Sequence, residues 1–243
     1  MASPFLSIVI PAHNEERRLP LALKKIFAFL RVQNYTYEVL VVENGSSDRT
    51  YEIAVELSNQ YKELKVLREE QSGKGMAVCR GMLKARGAYR FMCDADLSMP
   101  IEGLKEFIPP NNEELDIAIA SREASGAVRY NEPEYRHLGG RLINFAIRLL
   151  ILPGFQDTQC GFKCFRAEVA EEVFPYQTIS GWSFDIEILY IALKKKYRIT
   201  EVPIHWYFDP ETKLRAINDA ILMLRDIFLI HLNDLRGLYD SQD

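Results

Sequence analysis

The chain has 243 residues, 48% of them hydrophobic and 26% charged, with a net charge of -4. That length and apolar content can bury a core without cross-links, which excludes a disordered chain and a disulfide-stapled mini-protein. The mildly acidic balance gives no global reason to bind nucleic acid, and no apolar run reaches the roughly 18–20 residues that span a bilayer.

Met1-Ala-Ser-Pro4 runs at once into a strand-like stretch and leaves no room for a signal peptide, so the expectation is a cytoplasmic protein. Cys160 and Cys164 have no histidine near them and so lack a zinc spacing; the four cysteines are expected to be reduced and mostly buried.

Leu6-Ser-Ile-Val-Ile10 reads as a strand, followed by a helix from about Glu15 to Arg31. Glu38–Val42 is a second strand, and Asn44-Gly-Ser-Ser-Asp48 opens the next helix through a Ser/Asp cap. Leu64–Leu67, Tyr89–Cys93 and Asp116–Ala120 continue the series. Apolar strands alternating with helices predict α/β architecture, a parallel sheet covered on both faces. No repeat or linker divides the chain, so one domain is expected over residues 1–243. Residues 122–136 are polar and turn-rich and read as a mobile loop.

Two later stretches, Gly140–Leu152 and Arg215–Leu235, are apolar apart from narrow polar stripes. They fit helices packed on the sheet, or a foot lying on a membrane surface with basic residues at the headgroups.

In an open parallel sheet, ligands bind beyond the carboxyl ends of the strands. Polar clusters follow five of these strands: Pro11-Ala-His-Asn-Glu-Glu16, Glu43–Asp48, Gln71-Ser-Gly-Lys-Gly75, Asp94-Ala-Asp96 and Ser121-Arg122. Together they predict one crevice of acids, amide donors and cations. Asp94 and Asp96, two apart just past a buried strand, suit Mg²⁺ or Mn²⁺ completed by substrate phosphates. Lys74 between two glycines offers a point charge to a phosphate, without the Walker spacing of a P-loop. The second half adds Asp157-Thr-Gln-Cys-Gly-Phe-Lys-Cys-Phe165 and Gly181-Trp-Ser-Phe-Asp-Ile-Glu187. Trp182 and Trp206 read as core or wall aromatics. Asp185 and Glu187 read as solvated acids at a helix start, and Asp157 as a turn cap or a catalytic carboxylate.

The opening motifs, Gly73-Lys-Gly75 and Asp94-Ala-Asp96, in this order, resemble inverting family 2 glycosyltransferases of the GT-A fold. The Asp157 and Trp182 segments resemble the dolichyl/polyprenyl-phosphate branch, nearer the β-glucosyl than the mannosyl enzymes. The resemblance implies a Rossmann-like, mostly parallel sheet, with a nucleotide-binding half over residues 1–121 and an acceptor half over 122–243. It places Pro11, Ala12, His13 and Glu15 around the base and ribose, with Glu43 and Asn44 facing the base where relatives usually carry two aspartates. Lys74 and the Asp94-Ala95-Asp96 motif fall at the donor, with Asp96 on the metal. Ser98 stands where mannosyl relatives often have Gln. Arg122 is implied near an acceptor phosphate, joined by Arg129 and Arg136, and Lys213 over the donor diphosphate.

The implied reaction passes a hexose, glucose from UDP-glucose, to a polyprenyl or dolichyl phosphate with inversion, at the cytoplasmic face of a membrane. A phosphate acceptor is largely dianionic at neutral pH and needs no base, so Asp157 would orient groups; a hydroxyl acceptor would make Asp157 the base. The alternatives are that hydroxyl acceptor, a GDP-mannose donor, and a nucleotide-binding module or sugar nucleotidyltransferase.

Overall fold

Buried runs of Ile, Val and Leu form the centre of the sheet because their branched side chains pack on both of its faces. The computed structural model describes residues 3–70, 72–112, 116–210 and 216–240. Strands β1 (Leu6–Ala12), β2 (Tyr37–Asn44) and β3 (Leu64–Glu69) alternate with helices α1 (Leu19–Leu30), α2 (Thr50–Ser58) and α3 (Lys74–Lys84). After β4 (Tyr89–Met92) and a 3₁₀ segment (Ile101–Phe107) come β5 (Ile117–Ser121), β6 (Val128–Tyr130) and α4 (Glu134–Leu150). The chain continues through β7 (Lys163–Arg166), α5 (Ala167–Val173), α6 (Phe184–Lys194), β8 (Ile199–Pro203), β9 (His205–Tyr207) and α7 (Ala216–Leu235).

Seven strands form one sheet in the order β3-β2-β1-β4-β7-β5-β8. Every neighbouring pair is parallel except those of β7, which runs antiparallel to both β4 and β5. The mostly parallel α/β sheet expected from the sequence is therefore present. Successive side chains of β1 serve opposite faces: Ile8 and Ile10 pack with Leu23 and Phe27 of α1, while Val9 packs with Ala77, Val78 and Met82 of α3. The four cysteines are free thiols, three of them buried and Cys79 partly so.

Three local expectations are corrected. Residues 122–136 are not a loop throughout, because β6 pairs in parallel with β9 and Tyr130 stacks on Tyr207 at 4.5 Å. The first helix begins at Leu19, not near Glu15; Arg18 bonds back to Glu15, and Pro20 occupies the first turn, where its missing N–H costs nothing. The helix expected from Gly140 starts at Glu134 and runs through Gly139 and Gly140.

Helices α4 and α7 pack on each other, burying Ile147, Met223, Ile227 and Ile230. Their outer sides stay bare: Phe145 is 60% exposed, Leu149 73% and Phe228 67%, with Ile221 and Leu224 beside them. No helix among the described residues is long and apolar enough to cross a membrane.

Candidate active site

The polar ends of β1, β2, β4 and β5 meet β7, which brings its beginning to this edge because it runs the opposite way. Along that edge lies a cavity of about 1170 Å³, walled on its far side by α4 and α7.

One end of the cavity is acidic. Lys74, at the start of α3, holds Asp94 through an ion pair of 2.7 Å and lies 5.1 Å from the centre of the Trp182 ring. Burial alone would lower the lysine pKa, but Asp94, Asp185 and Asp96 together raise it, so Lys74 stays charged. Asp96 accepts a hydrogen bond from the Ser98 N–H at 2.9 Å, while burial and the Asp94 charge push its carboxyl upward. Asp94 is seated on Gly161, where a Cβ would fall 1.8 Å from Asp94 Oδ2, so no larger residue fits without displacing it. The turn carrying Gly161 is fixed by Lys163, a buried lysine in β7 that donates to the Cys160 carbonyl at 2.6 Å and pairs with Asp185 at 2.7 Å.

The other end is built on Arg122. Its backbone N–H and Nε donate to Asp157 Oδ2 at 3.0 and 2.6 Å, and its Nη2 donates to Oδ1 at 2.9 Å. Asp157 is fully buried, and its own N–H donates to Glu201 at 2.9 Å. Burial would raise the Asp157 pKa, but the Arg122 charge and hydrogen bonds pull it down to about 2. The second edge of the guanidinium, through Nη1, bonds to no other described residue. Trp206 lies against Arg122 and Arg129, with their guanidinium carbons 5.4 and 5.7 Å from its ring centre. Arg129 is held in turn by Glu123 and Glu132.

Residues 7–174 match the family described as Glycosyl transferase family 2. The chain belongs to that family.

Its relatives agree. Dolichyl-phosphate beta-glucosyltransferase of Drosophila melanogaster is 34% identical over 250 residues, covering 96% of this chain and 76% of that one. The enzymes of the same name from Dictyostelium discoideum and Saccharomyces cerevisiae are each 32% identical, covering 97% of this chain and 76% of theirs. Among solved structures, glucosyl-3-phosphoglycerate synthase from Mycobacterium tuberculosis, in complex with Mn²⁺ and UDP-glucose, superposes with a TM-score of 0.67 at 17% identity. That match covers 99% of this chain and 80% of the synthase, and it establishes a shared fold.

Within this glycosyltransferase the expected residues divide. Pro11, His13, Glu15, Asn44, Lys74, Asp94, Ala95, Asp96 and Arg122 line the cavity. Ala12 and Asp157 lie behind it, fully buried. Glu43 is buried too and accepts from the Ser46 N–H, shaping the turn after β2. The Asn44 amide, oriented to satisfy both its ends, donates to the Ala12 carbonyl at 2.8 Å and accepts from the Gly73 N–H at 3.2 Å. It thus ties the first loop to the lysine loop. Lys213, Gln71 and the Arg136 side chain fall outside the described residues. Trp182 and Trp206 are cavity walls, as one reading held, but Asp185 and Glu187 are buried at 4% and 0% exposure, not solvated.

No local signal marks Arg18, which bridges Glu15 to Asp209 at 2.7 Å across 191 positions and lines the same cavity. Lys163 could have been suspected, since a lysine inside an apolar strand demands a buried partner.

Proposed function

We propose that the chain transfers glucose from UDP-glucose to a polyprenyl phosphate, inverting the anomeric centre, while resting on a membrane surface. The observation that carries this reading is the pairing of Asp157 with Arg122. A carboxylate held near 2 by a guanidinium is a poor proton acceptor at neutral pH, so this end of the cavity supplies a held cation in place of a general base. Such a site suits an acceptor that arrives already ionised. A phosphate monoester, with its second pKa near ~6, is that acceptor. The names of the 32–34% identical relatives support glucose and a dolichyl-type phosphate.

The acidic end fits a divalent cation bound with its substrate. No three His, Cys, Asp or Glu side chains converge on one point among the described residues. Mg²⁺ or Mn²⁺ needs no such cage, because one or two carboxylates suffice when phosphates and waters complete the shell. Asp96 would hold the ion, with Asp94, already tied to Lys74, beside it. The ion would offset charge on the departing diphosphate.

The acceptor oxygen forms a bond to the anomeric carbon as the bond to the nucleoside diphosphate breaks, its electron pair leaving with the diphosphate. Arg122 turns its uncommitted edge to the acceptor phosphate, Trp206 packs against the guanidinium, and Lys74 neutralises the donor side. The bare side of α4 carries Arg141 and Arg148 among the exposed Phe and Leu side chains, a composition suited to anionic headgroups over acyl chains.

The test is incubation with UDP-glucose, Mn²⁺ and either polyprenyl phosphate or the free polyprenol, with products read by mass. Glucosyl phosphoryl polyprenol should form only from the phosphate. Equal transfer to the alcohol overturns the assignment.

A further inference from the structure

Glu187 and Tyr239 have no part in the chemistry above, yet they anchor a buried polar cluster beside the cavity. Glu187, in the first turn of α6, accepts hydrogen bonds from the Thr178 N–H at 2.9 Å, the Ile179 N–H at 2.8 Å and Thr178 Oγ1 at 2.5 Å. Tyr239, buried beyond the end of α7, donates its hydroxyl to the same carboxylate at 2.8 Å. Asn233 of α7 closes the ring, with Nδ2 3.0 Å from Thr178 Oγ1 and 3.3 Å from the Tyr239 hydroxyl. A fully buried carboxylate with four donors and no cation in salt-bridge contact among the described residues depends on every one of those bonds.

The segment held in this way touches the donor end directly. The Ser180 carbonyl accepts from the Gly75 N–H at 2.8 Å, and a Cβ on Gly75 would fall 2.6 Å from the Ile179 carbonyl oxygen. Residues 178–180 and the Gly73–Gly75 turn are therefore in direct contact, with no room for a side chain at either glycine. Between those glycines sits Lys74, the partner of Asp94. The connection runs from the last turn of α7 through Glu187 and the 178–180 segment to the lysine at the donor.

We infer that Glu187, locked by the Tyr239 hydroxyl, is a positioning residue that sets Lys74 and Asp94 for the nucleotide diphosphate. The inference rests on the nucleotide-sugar reading above. It assigns Glu187 no contact with substrate; its effect reaches the donor only through the packed segment.

Calorimetric titration with UDP and Mn²⁺ tests it on the full chain, compared with Glu187→Gln and Tyr239→Phe. Glutamine places an NH₂ against an N–H donor, and UDP should then bind about tenfold more weakly, the effect of one lost bond to a buried charge. Tyr239→Phe, which removes a single hydroxyl, should weaken UDP binding about threefold and serves if the glutamine variant fails to fold. In both, the KM for polyprenyl phosphate should stay at the wild-type value, a split that general destabilisation would not produce. Folded variants that bind UDP as the wild type does, or that lose donor and acceptor affinity in parallel, overturn the inference. A wild type that does not bind UDP overturns the donor reading itself.

Discussion

Replacing Asp157 with asparagine isolates the pairing on which the acceptor assignment stands. In the wild type three N–H groups of Arg122 converge on the carboxylate, two of them on Oδ2. Asparagine keeps one acceptor oxygen, removes the charge and turns an NH₂ toward remaining donors. Breaking one side of a buried ion pair costs about 3–5 kcal/mol, and the Arg122 side chain is 21% exposed, so its guanidinium recovers some water and the lower end applies. About 3 kcal/mol in a domain of this size lowers the melting temperature by roughly 6–12 °C.

The pH dependence has a definite sign. The Asp157 pKa lies below its unfolded value, so its stabilisation is complete above about pH 5 and is lost as pH falls toward 2. Wild type and Asp157→Asn should therefore differ by a constant amount from pH 5 to 8 and converge below about pH 4. Thermal melts across that range check the stability, and steady-state kinetics with polyprenyl phosphate should show the acceptor KM rising about tenfold or more as Arg122 loses its orientation. A different outcome would be a wild-type rate with an acidic limb near pH 6–7 that the variant lacks while its acceptor KM is unchanged. That pattern would make Asp157 a base.

Asp96→Ala should abolish turnover and Mn²⁺-dependent UDP binding while the circular dichroism spectrum stays that of the wild type; a variant retaining turnover would sink the metal assignment. Gly161→Ala puts a methyl group 1.8 Å from Asp94 Oδ2, so the carboxylate and Lys74 must shift, and kcat/KM for the donor should fall at least about tenfold. Unchanged donor kinetics would mean Asp94 has no fixed role there. Phe145→Ser with Phe228→Ser removes two exposed rings from the bare side of α4 and α7 and should abolish co-sedimentation with anionic vesicles, leaving activity on a short, soluble polyprenyl phosphate intact. Equal sedimentation of the double variant would assign that surface elsewhere.

The parallel strands were legible in the sequence because a buried strand needs a run of branched apolar residues, and Ile8–Ile10 and Val39–Val42 are such runs. So were the loops at their ends, since strand ends decide where polar residues collect. The partnerships were not. Nothing local in Lys163-Cys-Phe-Arg166 says that it inserts backwards between β4 and β5, and nothing in Val128–Tyr130 says that it pairs with residues 77 positions away. Glu187 looks like any acid in the first turn of a helix until the fold brings Tyr239 and Thr178 to it. Asp157 was visible as a singular acid, but its role hung on whether an arginine 35 positions earlier would meet it.

The reversed strand has a consequence for how this enzyme can change. In a wholly parallel sheet only the segments that follow strands reach the reactive edge, so each new binding group must come from a loop that also begins a helix. Here β7 delivers the stretch that precedes it, and Asp157 and Gly161 arrive on a connection between α4 and the sheet. One short segment thus adjoins Asp94 with one residue and Arg122 with another. On the proposed assignment, substitutions within residues 157–161 would be felt by donor and acceptor at once, whereas changes in the loops after β1 and β2 would act at the donor end. Selection for a new sugar nucleotide and selection for a new acceptor would leave their marks on different loops, and this segment would be the last to vary.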